Sequence, residues 1–461
     1  MKSFLTLLFT ISLLSLQLNA QTTILRVDID NTNPLGTPDG SAWGNLAFPD
    51  LQSALNISNT NPGPYEIWVA EGTYNPTEEN TSTGQTGDRN KAFFINKDVQ
   101  LFGGFDGTET GLMQRDIVQH VTILSGEIGN PGIADNTYHV IYILGLSSNS
   151  NISRDCIIDG FTIEDGNADG PFPNNLGGGI ANIGRFSGNE SSPTIQNCVI
   201  QNNTANNGRG IYNIGDNGGK INPLINNCTF YNQNAGEATA IINNGTNSPT
   251  PTSSAVITNC SFYGNAGAFV VIGNYNTADA KIENCIIWGN GTMSPISDFN
   301  TVTTITTSII EGGQFGAIDK DPYFVDAANG DLRLQSHSPA IEKGDNGAMG
   351  LSGVITDLDG NPRLSAPCGT IKQVDIGAYE RQFLSNEGYE NINALHLTQT
   401  HNEHFNTSYS IESDQIIDGG MGNTIQVDYE AGITSGKFIL LMPGFEVKSD
   451  MIFHAYMAGC N

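Results

Sequence analysis

Arg185, Arg209, Asp216 and Glu190 are the residues whose types and spacing best suit acid–base chemistry in this chain. A basic side chain beside a bound cation such as calcium could take the proton next to a uronate carboxylate and eliminate across the sugar ring. Two carboxylates about 5–9 Å apart could instead hydrolyse a glycosidic bond. Arg185 follows the phrase "GGGIANIG" (177–184), and Arg209 lies inside its echo "GRGIYNIG" (208–215). That spacing predicts both arginines on one face within a turn of each other, with Asp216 and Glu190 nearby. The competing reading makes them solvated corner residues paired with those acids. Other basic groups are sparse. Between 155 and 310 only Lys220 and Lys281 join the two arginines, and no His lies between 140 and 336.

Metal chemistry has weaker support. Asp357, Asp359 and Asn361 in "DLDGNPR" offer oxygens at alternate positions, which would suit calcium. The Gly stands fourth and no Glu follows at the required distance, so this is no EF-hand, and a polar turn explains it as well. His396, His401 and His404 match neither a helix face nor a zinc finger and read as surface imidazoles. The glycines at 177–179 lack the Lys-Ser/Thr of a phosphate loop, and there is no Gly-x-Ser-x-Gly elbow.

The seven cysteines need a different explanation. Four sit in near-copies of one phrase: "NCVIQNN" (197–203), "NCTFYNQ" (227–233), "NCSFYGN" (259–265) and "NCIIWGN" (284–290), with a looser "DCIIDGF" at 155–161. Ile195, Ile225, Ile257 and Ile282 stand three residues before each Cys; Ile200, Phe230, Phe262 and Ile287 stand two after. Cys and the second residue after it face in while the residue between them faces out, so each phrase is a strand with one buried face. Cys156, Cys198, Cys228, Cys260 and Cys285 are 42, 30, 32 and 25 residues apart, and the landmarks Ile180, Ile211, Ile241 and Val271 are 31, 30 and 30 apart. A period near 30, with Asn and Gly at the corners, predicts an all-β right-handed parallel β-helix of about three strands per turn. Asn turns the corner in the left-handed backbone and bonds to the Asn of the next turn. Cys198, Cys228, Cys260 and Cys285 form a ladder of reduced thiols, because Cβ atoms stacked about 4.8 Å apart are too distant for a bridge. Cys368 and Cys460 are the pair that could be oxidised. Tyr231, Tyr263 and Trp288, three residues after each Cys, point outward on successive turns and could stack on sugar rings.

The first twenty residues, "MKSFLTLLFTISLLSLQLNA", have Lys2 at the start, an apolar run from Phe4 to Leu18 and a small residue at Ala20. They predict a signal peptide cut before Gln21 and a secreted or cell-surface protein, with no transmembrane segment after cleavage. The formal charge of −28 disfavours nucleic acid and anionic lipid as partners. Polysaccharide, cations or basic surface proteins fit better, and acidity also keeps an exported chain soluble.

Several phrases carry a resemblance. "DGSAWGN", "DLQSAL", "EIWVAEGTY" and "LFGGFDGTETGLMQRD" lie between Asp39 and Asp116; "DPYFVDAANGDLRLQSHSPAIEKGD" spans 321–345, "TDLDGNPR" 356–363 and "VDIGAYE" 374–380. Together they resemble the secreted bacterial β-helix proteins of the choice-of-anchor Q type. "LMPGFEV" and "FHAYMAGC", within Ile425–Cys460, look like the 3-coathanger stack domain of similar exported proteins. The resemblance implies a pectate-lyase-like β-helix over 21–383, a linker at 384–390 and a small β domain over 391–461. Residues 24–70 would be the N-terminal cap and first turns, and 314–383 the last turns and closure. It carries no established catalytic residues. The Asn-Thr-Asp, Asp-Asp and His-Gly phrases of galacturonan hydrolases, which share this fold class, do not occur. The expectation is therefore an exported, non-catalytic β-helix binding glycan or another surface partner along its flank. A lyase or hydrolase of acidic polysaccharide, or a purely structural adhesion module, are the alternatives.

Overall fold

The computed structural model describes residues 22–31, 37–146, 151–233, 240–245, 253–265, 270–292, 294–364 and 373–381, together with strands between 390 and 459. The expected leader, His396, His401, Cys368 and Cys460 lie outside the described residues, as does the expected linker up to 389.

Each turn runs through three strands, and the strands of successive turns pair in parallel. The first sheet has nine strands from Thr23–Val27 to Thr304–Thr306, the second eight from Gly72–Tyr74 to Ile309–Ile310, and the third seven from Phe93–Ile95 to Ile296–Phe299. This is the all-β parallel β-helix expected from the period. The register joins Ile195 to Ile225, Ile257 and Ile282, and Ile200 to Phe230, Phe262 and Ile287, as aligned from sequence. One landmark moves by a residue: Ile241 pairs with Ile272, and not with Val271.

The corners behave as Asn chemistry requires. Asn197, Asn227, Asn259 and Asn284 have φ between 48° and 57°, the left-handed region that Asn tolerates best among side-chain-bearing residues. Asn227 donates to Asn197 Oδ1 at 2.5 Å and Asn284 to Asn259 Oδ1 at 3.1 Å. A second ladder runs inside the third sheet, where Asn182 donates to Asn213, Asn213 to Asn243 and Asn243 to Asn274 at 2.8–2.9 Å, all fully buried. Between the polar ladders the core is aliphatic and aromatic, with Phe230 and Phe262 stacked at 4.6 Å.

Cys156, Cys198, Cys228, Cys260 and Cys285 are buried and free. The thiols of Cys198, Cys228, Cys260 and Cys285 donate to carbonyls of their own and the preceding turn, such as Cys198 to Gln196 O at 3.1 Å and Cys228 to Ile195 O at 3.6 Å. Burial raises the Cys156 thiol to about 12, so it stays protonated and unreactive. These five thiols are expected to resist a water-soluble thiol reagent in the native protein and to react once it is unfolded. A bridge among them found by mass spectrometry would overturn the ladder.

Both ends are covered. At the N-terminal end the helix Leu51–Thr60, capped by Asp50 accepting from Ser53 N at 2.9 Å, inserts Leu51, Ala54 and Leu55 into the core. At the other end, where 314–383 is expected to hold the last turns and closure, one more parallel bridge joins Ile309 to Ile318. Ile318 N bonds to Ser308 O and closes the second sheet, and the chain then reverses. Phe324–Asp326 and Asp331–Leu334 form an antiparallel hairpin that lies back over the outer face of the second sheet. Residues 340–364 and 373–381 follow it along the Asn corner, where Asn259 Nδ2 bonds to Asp375 O and Gly377 O.

Beyond 390, the strands pair only among themselves and in parallel. Glu390–Asn391, Ser410–Ser413 and Phe438–Leu441 make one sheet; Glu403–Thr407, Gln426–Ile433 and Ile452–Gly459 a second; Ile416–Ile417 and Glu446–Val447 a third. His404 lies in the second of these. Among the described residues no helix is long and apolar enough to cross a membrane.

Candidate functional site

The returning chain decides which part of the second sheet stays open. Two columns of side chains point outward from it. One runs Ile123, Thr162, Val199, Thr229, Ser261 and Ile286; the other runs Ser125, Glu164, Gln201, Tyr231 and Tyr263. Trp288 continues the second column. The hairpin lies on the later members. Tyr231 Oη donates to Ala328 O at 2.7 Å, and Tyr263 meets Phe324 edge-on at 6.0 Å. Gly330 sits so close to Tyr231 that an added Cβ would stand 3.1 Å from the ring, in a backbone with φ 86° that already favours Gly. Trp288 packs against the cluster of Ile286, Leu332 and Leu334. The expected open row of stacking aromatics is therefore corrected: Tyr231, Tyr263 and Trp288 are half-buried anchors for the returning chain. Thr229, Ser261 and Ile286 of the other column are buried for the same reason.

Toward the N-terminus the face is uncovered and forms a cleft of about 160 Å³. The sheet contributes Thr162 and Val199, the segment before the strand Thr122–Ser125 contributes Ile117, Val118 and Val121, and the returning chain contributes Leu358, Asp359 and Tyr379. Val118 and Val121 are 49 % and 43 % exposed. Arg115 fixes their segment to the sheet corner through an ion pair with Asp159 at 2.8 Å, and Asp116 N bonds to Gly104 O at 2.7 Å.

One carboxylate, Asp359, lines this cleft, and Glu164 and Asp165 stand at the far end of the strand Phe161–Glu164. Burial, with Asp357 and Asp331 close by, lifts Asp359 to about 6, and Arg333 opposes the rise. Glu164, two residues along the sheet from Thr162, is raised by burial although it accepts from Gln201 Nε2 at 2.7 Å. Asp165 is raised too, by burial above all and by nearby Glu127, while Ser125 donates to it at 3.1 Å. Arg333, which acts on Asp359, makes two bonds to Asp331 and is held by it.

Asp357 itself serves the turn. Its carboxylate accepts from the backbone N–H of Asp359, Asn361 and Glu380 at 2.7–3.0 Å, so the motif Asp357, Asp359 and Asn361 ties two stretches of the returning chain together. Behind it lies a group that sequence reasoning missed. Glu342, Asp375 and Glu380 bring carboxylate oxygens within 4.8 Å of one another. Buried Arg363 approaches Glu380 at 3.7 Å and donates to Gly377 O, Ala378 O and Asn227 Oδ1. The positive charge that such an acid cluster needs is thus supplied by the chain itself.

The predicted catalytic set does not assemble. Arg185 and Asp216 are cross-strand partners in the third sheet and pair at 3.1 Å, as the corner reading had it. Glu190 lies on the following corner and accepts from Ser192 Oγ at 2.6 Å. Arg209 is fully buried, donating to Gln233 O, with burial lowering its pKa to about 10. It precedes the strand Ile211–Asp216 that Arg185 stands beside the far end of, so the two guanidiniums occupy opposite ends of a six-residue strand and share no face. A shared phrase does not make a shared face, because the intervening strand spans about 20 Å.

A second hollow of about 380 Å³ lies on the first-sheet side between Tyr65, Lys97, Asp98 and Asp155, with walls made from loops and the starts of two strands.

No family model matches the chain, and no curated protein matches it. Among solved structures it is similar to the pectate lyase Pel9A, at 13% identity over 78% of this chain and 97% of that one, with a TM-score of 0.29. It is also similar to the pectin methylesterase from Aspergillus niger in deglycosylated form, at 14% identity over 65% of this chain and 89% of that one, with a TM-score of 0.28. Likeness at this level bears on neither activity nor substrate.

Proposed function

We propose that this is an exported, non-catalytic β-helix protein that binds a glycan in the cleft on the outer face of its second sheet. The leader, the choice-of-anchor Q phrases and the coathanger-like tail support export. One observation supports the binding reading above the others: this is where a rigid parallel sheet, exposed valines, the aromatic ring of Tyr379 and the carboxylate of Asp359 meet in one concave surface. Sugars present both apolar ring faces and hydroxyl donors, and such a surface serves both. Arg185 and Asp216 bond to each other, which leaves them poor candidates for proton transfer.

The test is a panel of neutral, acidic and amino polysaccharides applied to residues 21–461, with binding and reducing-end or unsaturated products read together, with and without calcium. Binding without product is expected. Val199→Phe, which fills the floor of the cleft from an outward position, should weaken binding at least tenfold with an unchanged circular dichroism spectrum. Product formation would favour a lyase or hydrolase. Silence in both channels would favour the structural, adhesive reading.

A further inference from the structure

We infer that two copies of this chain join end to end through the last strand of the first sheet, Thr304–Thr306, by antiparallel pairing about a two-fold axis. The cover at the C-terminal end leaves this edge free among the described residues. The second sheet is closed by Ile318, and the third is tied at its start, where Ile296 N donates to Gln314 Oε1 at 2.9 Å. At the opposite end of the first sheet the edge strand Thr23–Val27 is taken up: Arg26 N donates to Gly40 O and Phe48 N to Arg26 O, both at 2.9 Å. Thr304–Thr306 pairs only with the preceding strand Lys281–Glu283. Thr304 N bonds back to Ala280 O, and Thr306 O accepts from Asn284 N, so the alternation of a parallel ladder turns the N–H and C=O of Ile305 outward. Proteins blunt such edges with Lys, Pro or a bulge. The stretch from Phe299 to Ile310, "FNTVTTITTSII", has no charge and no proline.

The sequence of the edge points to a second copy as the occupant. Around Ile305 it reads the same in both directions: Thr303, Thr304, Ile305, Thr306, Thr307. A two-fold axis at Ile305 sets that residue opposite its own counterpart, exchanging both backbone bonds, and sets Thr304 opposite Thr306, a favourable cross-strand pair. Ile305 is half-buried, whereas Ile195, Ile225, Ile257 and Ile282, the earlier members of its column, are fully buried. Pairing would bury Ile305 as well and make the core continuous across the joint. Charge selects the same partner. Two chains of formal charge −28 repel each other over most of their surface and least where a stretch carries no charge. Phe299 and Val302, 58 % and 72 % exposed just before the strand, add apolar area there. The end face of one coil is smaller than a standard interface, so the dissociation constant should lie in the micromolar range.

Sedimentation of residues 21–461 over about a thousandfold range of concentration reads the mass directly. A reversible monomer–dimer equilibrium is expected, with no larger species, because a two-fold joint closes on itself. Thr304→Lys combined with Thr306→Lys sets like charges opposite each other across the axis and should weaken dimerisation about tenfold or more. Thr304→Lys combined with Thr306→Glu sets opposite charges there and should hold wild-type association or strengthen it. Both positions are exposed, so the circular dichroism spectrum of each variant should match wild type. A dimer untouched by the two lysines overturns the inference. Equal weakening in the two double variants also overturns it, since only the antiparallel register tells them apart. A monomer at every concentration overturns it too, whether the edge is bare or covered by the tail of the same chain.

Discussion

Arg363→Met is expected to loosen the returning chain by about 3–5 kcal/mol near pH 8, the usual cost of leaving buried charge without its partner. The guanidinium is 2 % exposed and bonds to Gly377 O, Ala378 O and Asn227 Oδ1. It also stands 3.7 Å from Glu380. Methionine fills the space and donates nothing. The loss should depend on pH, and its sign follows from the acids. Burial lifts Asp375 to about 7, and burial with the charge of Asp375 lifts Glu380 to about 9. A folded state that holds these protons more tightly than the unfolded chain is favoured at low pH, and that advantage fades as pH rises through 7 to 9. Without Arg363 the carboxylates lose an opposing charge, so the variant should approach wild type near pH 5 and fall furthest behind near pH 8–9. Hydrogen exchange at 355–364 and 374–381, corrected for intrinsic rates, reads this locally. A pH-independent loss would show that Arg363 acts through its carbonyl bonds alone.

Asn213→Ala should be the most damaging small change within the coils. It strands Asn243 Oδ1 on one side and leaves Asn182 Nδ2 with only its long 3.4 Å bond to Ser191 O on the other, both residues fully buried. A buried polar group left without a partner costs about 1–3 kcal/mol, and one is stranded and a second weakened here. Replacing Asn182, Asn213 and Asn243 together by Leu should cost less per residue, because most of the stranded pairs then disappear. Coils contact only their neighbours, so the effect should centre on turns adjoining Asn213 and fade along the stack. Exchange protection that falls equally in the first and last turns would contradict this.

The β-helix was legible in the sequence because its period is written in residue types with few substitutes. Asn at a left-handed corner, Cys in a crowded interior and Ile or Phe two residues on recur with each turn. The internal ladder was legible in principle. "ANIG", "YNIG", "INNG" and "IGNY" carry Asn182, Asn213, Asn243 and Asn274 at one register position, but Asn looks like a turn residue until its neighbours are known to be buried. The aromatic row was read with the right parity and the wrong environment. Parity is local, whereas the cover on Tyr231 comes from Ala328, 97 residues away. The cleft was illegible for the same reason: Val121, Val199 and Asp359 meet only because the chain doubles back, and nothing periodic announces that.

The internal Asn ladder also has a direction. Every amide from Asn182 to Asn243 donates toward the next turn, and the last, Asn274, donates to Thr303 Oγ1 and Asp298 Oδ1. Four aligned amide dipoles therefore add head to tail, and their positive end meets a carboxylate while Ser191 Oγ donates to the acceptor end at Asn182. Such a stack tolerates insertion or deletion of a whole turn, which keeps every dipole aligned, and rejects a fraction of one. Its natural unit of length change is thus one rung of about thirty residues, with Asp298 and its threonine as a terminus that must travel with the last rung.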